Sequence, residues 1–224
     1  MSRPTADLSS LHVVVPVHDL ANAKTRLGLA LDAEERETLM LGLLRQVLTV
    51  LDAWPARRRT HVVSADRAVV EVARGRGAAV VPEPPNGDLN GALMAGRDRA
   101  VARGATAVLF LPADLPLISV TALDQLLDAA DAALAAGRGR PVVVAAPADA
   151  RGGTNALLLS PPDVIAPAFG TASLEAHVRS AQRADASVQL VAHPHLGFDL
   201  DTPDDLERLE EVVLLDLMRG ALSV

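Results

Sequence analysis

No cysteine occurs among the 224 residues. Disulfide frameworks, thiolate metal sites and cysteine nucleophiles are therefore excluded together, and oxygen or histidine ligands are left for any metal. Aromatic residues are almost as scarce, being limited to Trp54, Phe110, Phe169 and Phe198. With a formal net charge of −7, the chain has neither a basic face to track a phosphate backbone nor a platform on which bases stack, so nucleic acid is not an expected partner. No stretch reaches the ~20 continuous apolar residues that cross a bilayer. Met1 to Ser10 carries one arginine and no apolar run, so a cytoplasmic protein with no membrane partner is expected.

Half of the residues are hydrophobic, enough to bury a substantial core, and one domain over residues 1–224 is the expectation. Leu11 to Val17 (LHVVVPV) suits a strand buried on both faces of a parallel sheet. Asp32 and Glu35 form a capping-box pattern, after which Leu39, Met40, Leu43, Leu44, Val47, Leu48 and Leu51 recur at helical spacing. The alternation goes on with strand His61 to Ala65, helix Arg67 to about Arg76, strand Ala79 to Pro82, helix Leu89 to Arg103, strand Ala107 to Leu111 and helix Val120 to Ala136. Pro141 to Ala146 and Asn155 to Leu159 read as two strands joined by a polar turn, which predicts a mixed, mostly parallel sheet with one antiparallel strand. A short helix at Pro162 to Ala168, a helix from Ser173 to Ala184, strand Val188 to Ala192 and a last helix from Pro203 complete a three-layer α/β/α, Rossmann-like pattern. The apolar end of that last helix (Val212, Val213, Leu214, Leu215, Leu217) offers a face for a second copy, so a homodimer is one arrangement the sequence allows.

In a doubly wound sheet the ligand crevice lies beyond the carboxyl ends of the strands. Lys24 and Arg26 stand two positions apart after the first strand, where two cations can neutralise triphosphate oxygens and a leaving pyrophosphate, or simply be solvated charges. The fingerprint G-x-G-x-x-G is absent from that loop, which argues against NAD. Asp114, in LPADLP, follows a buried strand between two stiffening prolines; it reads as a metal ligand, or as a turn aspartate. Asp199 and Asp201 (FDLDTP) sit at i and i+2 and so face one side of an extended segment, although Thr202 and Pro203 alone make a good helix start. Together Asp114, Asp199 and Asp201 supply three hard oxygen ligands of the kind magnesium takes. Asn90, at a helix start, reads either as an amide for a base or ribose or as a plain helix-start residue. Arg151 to Asn155 (RGGTN) and Gly170 to His177 (GTASLEAH) combine glycines with hydroxyls, and the second opens a helix where an anion is favoured. His177 lies one turn into that helix on the side of Ser173, as a secondary candidate beside a plain surface histidine.

With these residues in place the chain resembles the guanylyltransferases of deazaflavin coenzyme F-420 biosynthesis, the family acting on 2-phospho-L-lactate or phosphoenolpyruvate. The resemblance runs from Val13 to Leu209 through AKTRL at Ala23, LN at Leu89, DLP at Asp114, GTNAL at Gly153, GTASLEAH at Gly170 and DLDTPDDL at Asp199. It implies the nucleotide-diphosphosugar transferase fold and Mg2+ held by Asp114, Asp199 and Asp201. It also implies GTP at Lys24, Arg26 and Asn90, and a small phosphorylated carboxylic acid at Thr154, Gly170 and Ser173, with His177 beside them. Lys24, Arg26 and Asp114 would be catalytic. One departure is His18, where the family commonly has a lysine. Other readings are a molybdopterin, 3-phosphoglycerate, sugar or cytidylyl transferase of the same fold, or a noncatalytic nucleotide-binding protein.

Overall fold

The computed structural model describes residues 6–55, 59–85, 87–137, 139–149, 152–209 and 213. Seven strands form one sheet: β1 (Leu11–Pro16), β2 (Arg59–Val63), β3 (Ala79–Val81), β4 (Ala107–Phe110), β5 (Val142–Pro147), β6 (Thr154–Ser160) and β7 (Ser187–Leu190). Their order is β3-β2-β1-β4-β6-β5-β7. β6 runs antiparallel to both β4 and β5, and the remaining pairs are parallel. The reversal follows from the short β5–β6 connection, which can close a hairpin but cannot carry the crossover a parallel neighbour needs. The expected mixed α/β sheet is borne out.

Side chains alternate across the sheet. Leu11, Val13 and Val15 join one core with α1 (Ala33–Ala53), α2 (Arg67–Gly75) and α4 (Val120–Gly137). Val14 and Val63 face the other core, built with α3 (Leu89–Val101) and α5 (Ser173–Arg183). α1 starts at the expected capping box, in which the Asp32 side chain accepts from Glu35 N–H while the Glu35 side chain accepts from Asp32 N–H. α3 approaches the sheet very closely: a Cβ on Gly96 would stand 2.3 Å from Val14 Cγ1 and 2.9 Å from Val63 Cγ2.

The helix expected over Pro162 to Ala168 does not form; these residues are turns, bends and irregular chain. Pro167 supplies no backbone donor and keeps Ala166 out of the helical region, so no full turn fits after Pro162. Two short 3-10 turns, Leu20–Asn22 and Thr25–Leu29, and two short helices, α6 (Pro194–Gly197) and α7 (Pro203–Arg208), shape the loops at one end of the sheet. Val212, Leu214, Leu215 and Leu217, proposed above as a dimer face, lie outside the described residues, as do Asn86 and Arg151. Among the described residues no helix is long and apolar enough to cross a membrane.

Candidate active site

The loops following β1, β3 and β4 and the start of the reversed strand β6 meet at the carboxyl edge of the parallel strands, the place a doubly wound sheet offers to ligands. Lys24 is the centre of the arrangement. Its ammonium donates to Asp114 Oδ2 at 2.6 Å and to Asp201 Oδ1 at 2.5 Å, and only 8% of its side chain is exposed. Desolvation works against that charge, but Asp114 and Asp201 outweigh it and hold the lysine above its ordinary range. Its backbone is left-handed, with φ 50°, a strain on the order of 1 kcal/mol for a non-glycine residue that aims the side chain inward. Arg26 stands further out, 67% exposed and 3.9 Å from Asp201 Oδ2.

Asp114 and the segment carrying Asp199 and Asp201 are joined through the backbone, Leu200 N–H donating to Asp114 C=O at 3.1 Å. Asn155, on β6, clamps the same segment: its amide nitrogen donates to Leu196 C=O at 2.9 Å and Gly197 C=O at 3.0 Å, and reaches Asp199 Oδ1 at 3.5 Å. Burial pushes the Asp199 carboxyl above the usual range, and the nearby Asp114 and Asp201 charges push it further, against the pull of Asn155 and Lys24. Three carboxylates thus lie near one buried ammonium that bonds two of them, an excess of negative charge that suits a small divalent cation with hard oxygen ligands. Among the described residues no three acidic or histidine side chains already converge on one point in the manner of a closed ion cage, since Lys24 bridges two of the three.

Two clefts open on this cluster. The larger, of ≈ 620 Å³, runs from Lys24 and Asp114 to His18 and Glu83 past Met40 and Leu89. The smaller, of ≈ 330 Å³, is walled by Thr154, Asn155, Phe169, Gly170, Ser173 and Asp199. Arg26, Leu89, Pro112, Asp114 and Asp201 belong to both. Such volumes match a large and a small ligand laid end to end, with the charged cluster at the junction.

In the smaller cleft the histidine fixes a hydroxyl. Ala168 N–H donates to His177 Nε2 at 2.9 Å, so the ring proton sits on Nδ1, which donates to Thr154 Oγ1 at 3.1 Å. With Oγ1 accepting from the ring, the Thr154 hydroxyl keeps its own proton to donate in the cleft it lines. His177 is fully buried, and burial lowers it to about 4, so it is a neutral group and not the surface histidine weighed from the sequence. Ser173 is buried at the start of α5, where no side chain caps the helix and Ala172 is left-handed with φ 54°. Ser173 N–H and Leu174 N–H are taken by Gly170 C=O and Gly152 C=O, so the cleft draws its hydrogen-bond donors chiefly from side chains. Asn90 lines neither cleft. Both ends of its amide are used on Phe169, donating to the C=O at 3.0 Å and accepting from the N–H at 2.7 Å. In the structure this amide braces α3 against the loop before α5.

Two site residues escaped sequence reasoning. Asn155 lay inside the GTNAL segment but its role depends on a partner loop over 40 residues away, the separation from Leu196 being 41. Glu83, in the turn after β3, is in contact with the His18 imidazole; the prolines around it pointed only to a loop.

A seven-stranded mixed sheet of this order between two layers of helices is a fold shared with nucleotide-diphospho-sugar transferases. A solved structure from Desulfovibrio desulfuricans G20 described as such a transferase superposes with a TM-score of 0.73 at 18% identity, covering 95% of this chain and 98% of that one. Residues 11–214 match the family described as guanylyl transferase CofC like, and the chain belongs to that family. It is 46% identical to the phosphoenolpyruvate guanylyltransferase of Rubrobacter xylanophilus, over 90% of this chain and 94% of that protein. It is 36% identical to the 2-phospho-L-lactate guanylyltransferase of Methanothermobacter thermautotrophicus, over 86% and 81%. With the 3-phospho-D-glycerate guanylyltransferase of Colwellia psychrerythraea the identity is 32%, over 88% and 90%.

Proposed function

We propose that this guanylyltransferase transfers GMP from GTP to phosphoenolpyruvate, releasing pyrophosphate, as a step in making a deazaflavin coenzyme. The observation that carries the reading is the pair of clefts sharing Arg26, Asp114 and Asp201 as a common wall. GTP occupies the larger cleft with its α-phosphate at the junction, and the acid occupies the smaller. A phosphate oxygen of the acid attacks the α-phosphorus, the new P–O bond forms, and the bond from that phosphorus to the pyrophosphate oxygen breaks. The nucleophile is already an anion, so no base is required; bringing two anions together and neutralising the departing one is the larger task.

Lys24 and Arg26 supply that neutralisation at the junction, Arg26 reaching outward to the leaving group. The Thr154 hydroxyl, polarised by His177, and the Ser173 side chain hold the acid in line. Asp114, Asp199 and Asp201 would hold Mg2+, which supplies charge compensation to the triphosphate when bound. Two relatives support the choice of acid differently: the more similar one acts on phosphoenolpyruvate, while the 2-phospho-L-lactate enzyme keeps that acid as the second reading.

The test is pyrophosphate release with GTP, Mg2+ and each of phosphoenolpyruvate, 2-phospho-L-lactate and 3-phosphoglycerate. Turnover is expected with phosphoenolpyruvate first, and Asp199→Asn is expected to lower it by at least about 10²-fold with the fold retained. Turnover with CTP or a sugar phosphate in place of GTP and the acids would overturn the proposal.

A further inference from the structure

We propose that Glu83 selects the guanine base, its carboxylate accepting hydrogen bonds from the ring N1–H and the exocyclic amino group, while His18 positions it. The inference rests on the guanylyl-transfer reading and adds to it the side chain that reads the base.

Four carboxylates line the larger cleft: Asp19, Glu83, Asp114 and Asp201. Asp114 and Asp201 are held by Lys24. Asp19 caps the turn that follows it, accepting from Ala21 N–H at 3.0 Å. Glu83 has no such structural duty. Its side chain is 13% exposed, and one oxygen, Oε1, meets His18 Nδ1 across the cleft. A carboxylate only accepts, so Nδ1 carries the ring proton and donates. This leaves Oε2 and the second lone pair of Oε1 for a ligand.

The position is right for a base. Glu83 follows β3 and Asp114 follows β4, and β3 and β4 are separated by β2 and β1. Three strand spacings put the ends of β3 and β4 roughly 14 Å apart across the edge, room for a nucleoside with a side-chain contact at each end. The walls of the cleft also include the apolar Pro16, Val17, Met40, Leu89 and Ala113, which suit the faces of a purine.

The chemistry then discriminates. Of the four common bases only guanine presents two adjacent donors, N1–H and the amino group, on its Watson–Crick edge, and a carboxylate takes both. Adenine puts a lone pair at N1, which the carboxylate repels. Uracil has one donor, and cytosine has a lone pair beside its amino group. An acceptor-only group pinned by a histidine is therefore a guanine reader in a way that a lysine or an amide is not.

The experiment compares GTP, ITP and ATP as donors in the pyrophosphate-release assay, with the wild-type chain, Glu83→Gln and His18→Ala. ITP lacks only the exocyclic amino group. The wild type should prefer GTP over ITP at least about tenfold in kcat/KM. Glu83→Gln should lower kcat/KM for GTP by about 10²-fold and bring the GTP:ITP ratio to within about threefold. His18→Ala should give an intermediate ratio, which a residue that merely stabilised the loop would not change. Calorimetric titration of GDP and IDP reads the same preference without turnover, and Glu83→Asp replaces Glu83→Gln should the latter fail to fold. A wild-type ratio retained in the Glu83 variants overturns this assignment alone. A wild-type chain that turns over no GTP overturns the guanylyl-transfer reading instead.

Discussion

In the function proposed above, His177 acts on the phosphorylated acid through Thr154 without touching it. The imidazole is closed on both nitrogens, accepting from Ala168 and donating to Thr154, and its only outlet is the direction of one hydroxyl proton. His177→Leu should therefore raise KM for the phosphorylated acid by about tenfold, the worth of one redirected hydrogen bond, while KM for GTP stays within about twofold. Thr154→Val should give the same split. Steady-state kinetics with each substrate varied in turn decides it, and equal changes in both KM values would assign His177 to the fold alone. Lys24 is the opposite case, a residue in direct contact with two carboxylates and held in a left-handed conformation that an unburdened loop would relax.

Among the elements, α3 does more for the site than its amphipathic pattern suggests. Leu89 at its start borders both clefts, and Asn90 braces the loop before α5. Gly96 is what lets the helix lie close enough to β1 and β2 for those contacts. Gly96→Ala gains up to about 1 kcal/mol of helix propensity but meets Val14 and Val63, an overpacking that typically costs 1–3 kcal/mol or more. A net loss of about 1–2 kcal/mol is expected, seen as a drop of several degrees in the thermal midpoint with a rise in both KM values. An unchanged midpoint would show that the sheet yields. That role was invisible in the sequence, because a helical glycine reads locally as a weak point and only the packed neighbour explains it. By contrast, the buried strands, the Asp32 capping box and the antiparallel strand were legible, since hydrophobic period, cap chemistry and connection length are local properties. The failed helix at Pro162 to Ala168 was a misreading of prolines that were themselves in view. Asn90, Asn155 and Glu83 show the remaining limit: each has a partner far along the chain or across the cleft, and residue type alone does not name a partner.

For the molecule as a whole, buried neutral histidines tie stability to pH. His61 is fully buried on β2, stacked on His12 of β1 with its Nε2 3.0 Å from His12 Nδ1. Burial, reinforced by His12 and by Arg59, Arg99 and Arg103, lowers it to about 4, and burial alone brings His177 to the same value. A depressed value means that the unfolded chain binds more protons than the folded one between about pH 6.5 and 4. Stability should thus be complete above about pH 6.5 and decline below it, by up to ~1.4 kcal/mol per pH unit for each of the two residues. Urea midpoints measured from pH 7.5 down to 4.5 test this, and a midpoint that stays level over that interval contradicts the burial of neutral imidazoles.

The two bonds of the Lys24 ammonium connect residues 90 and 177 positions apart. During translation the strands of the first half can emerge and pair, yet the second carboxylate arrives only after all seven strands of the sheet have been made. The charged centre is consequently completed after the sheet that carries it, and a chain halted before that point holds a lysine poised against one aspartate alone.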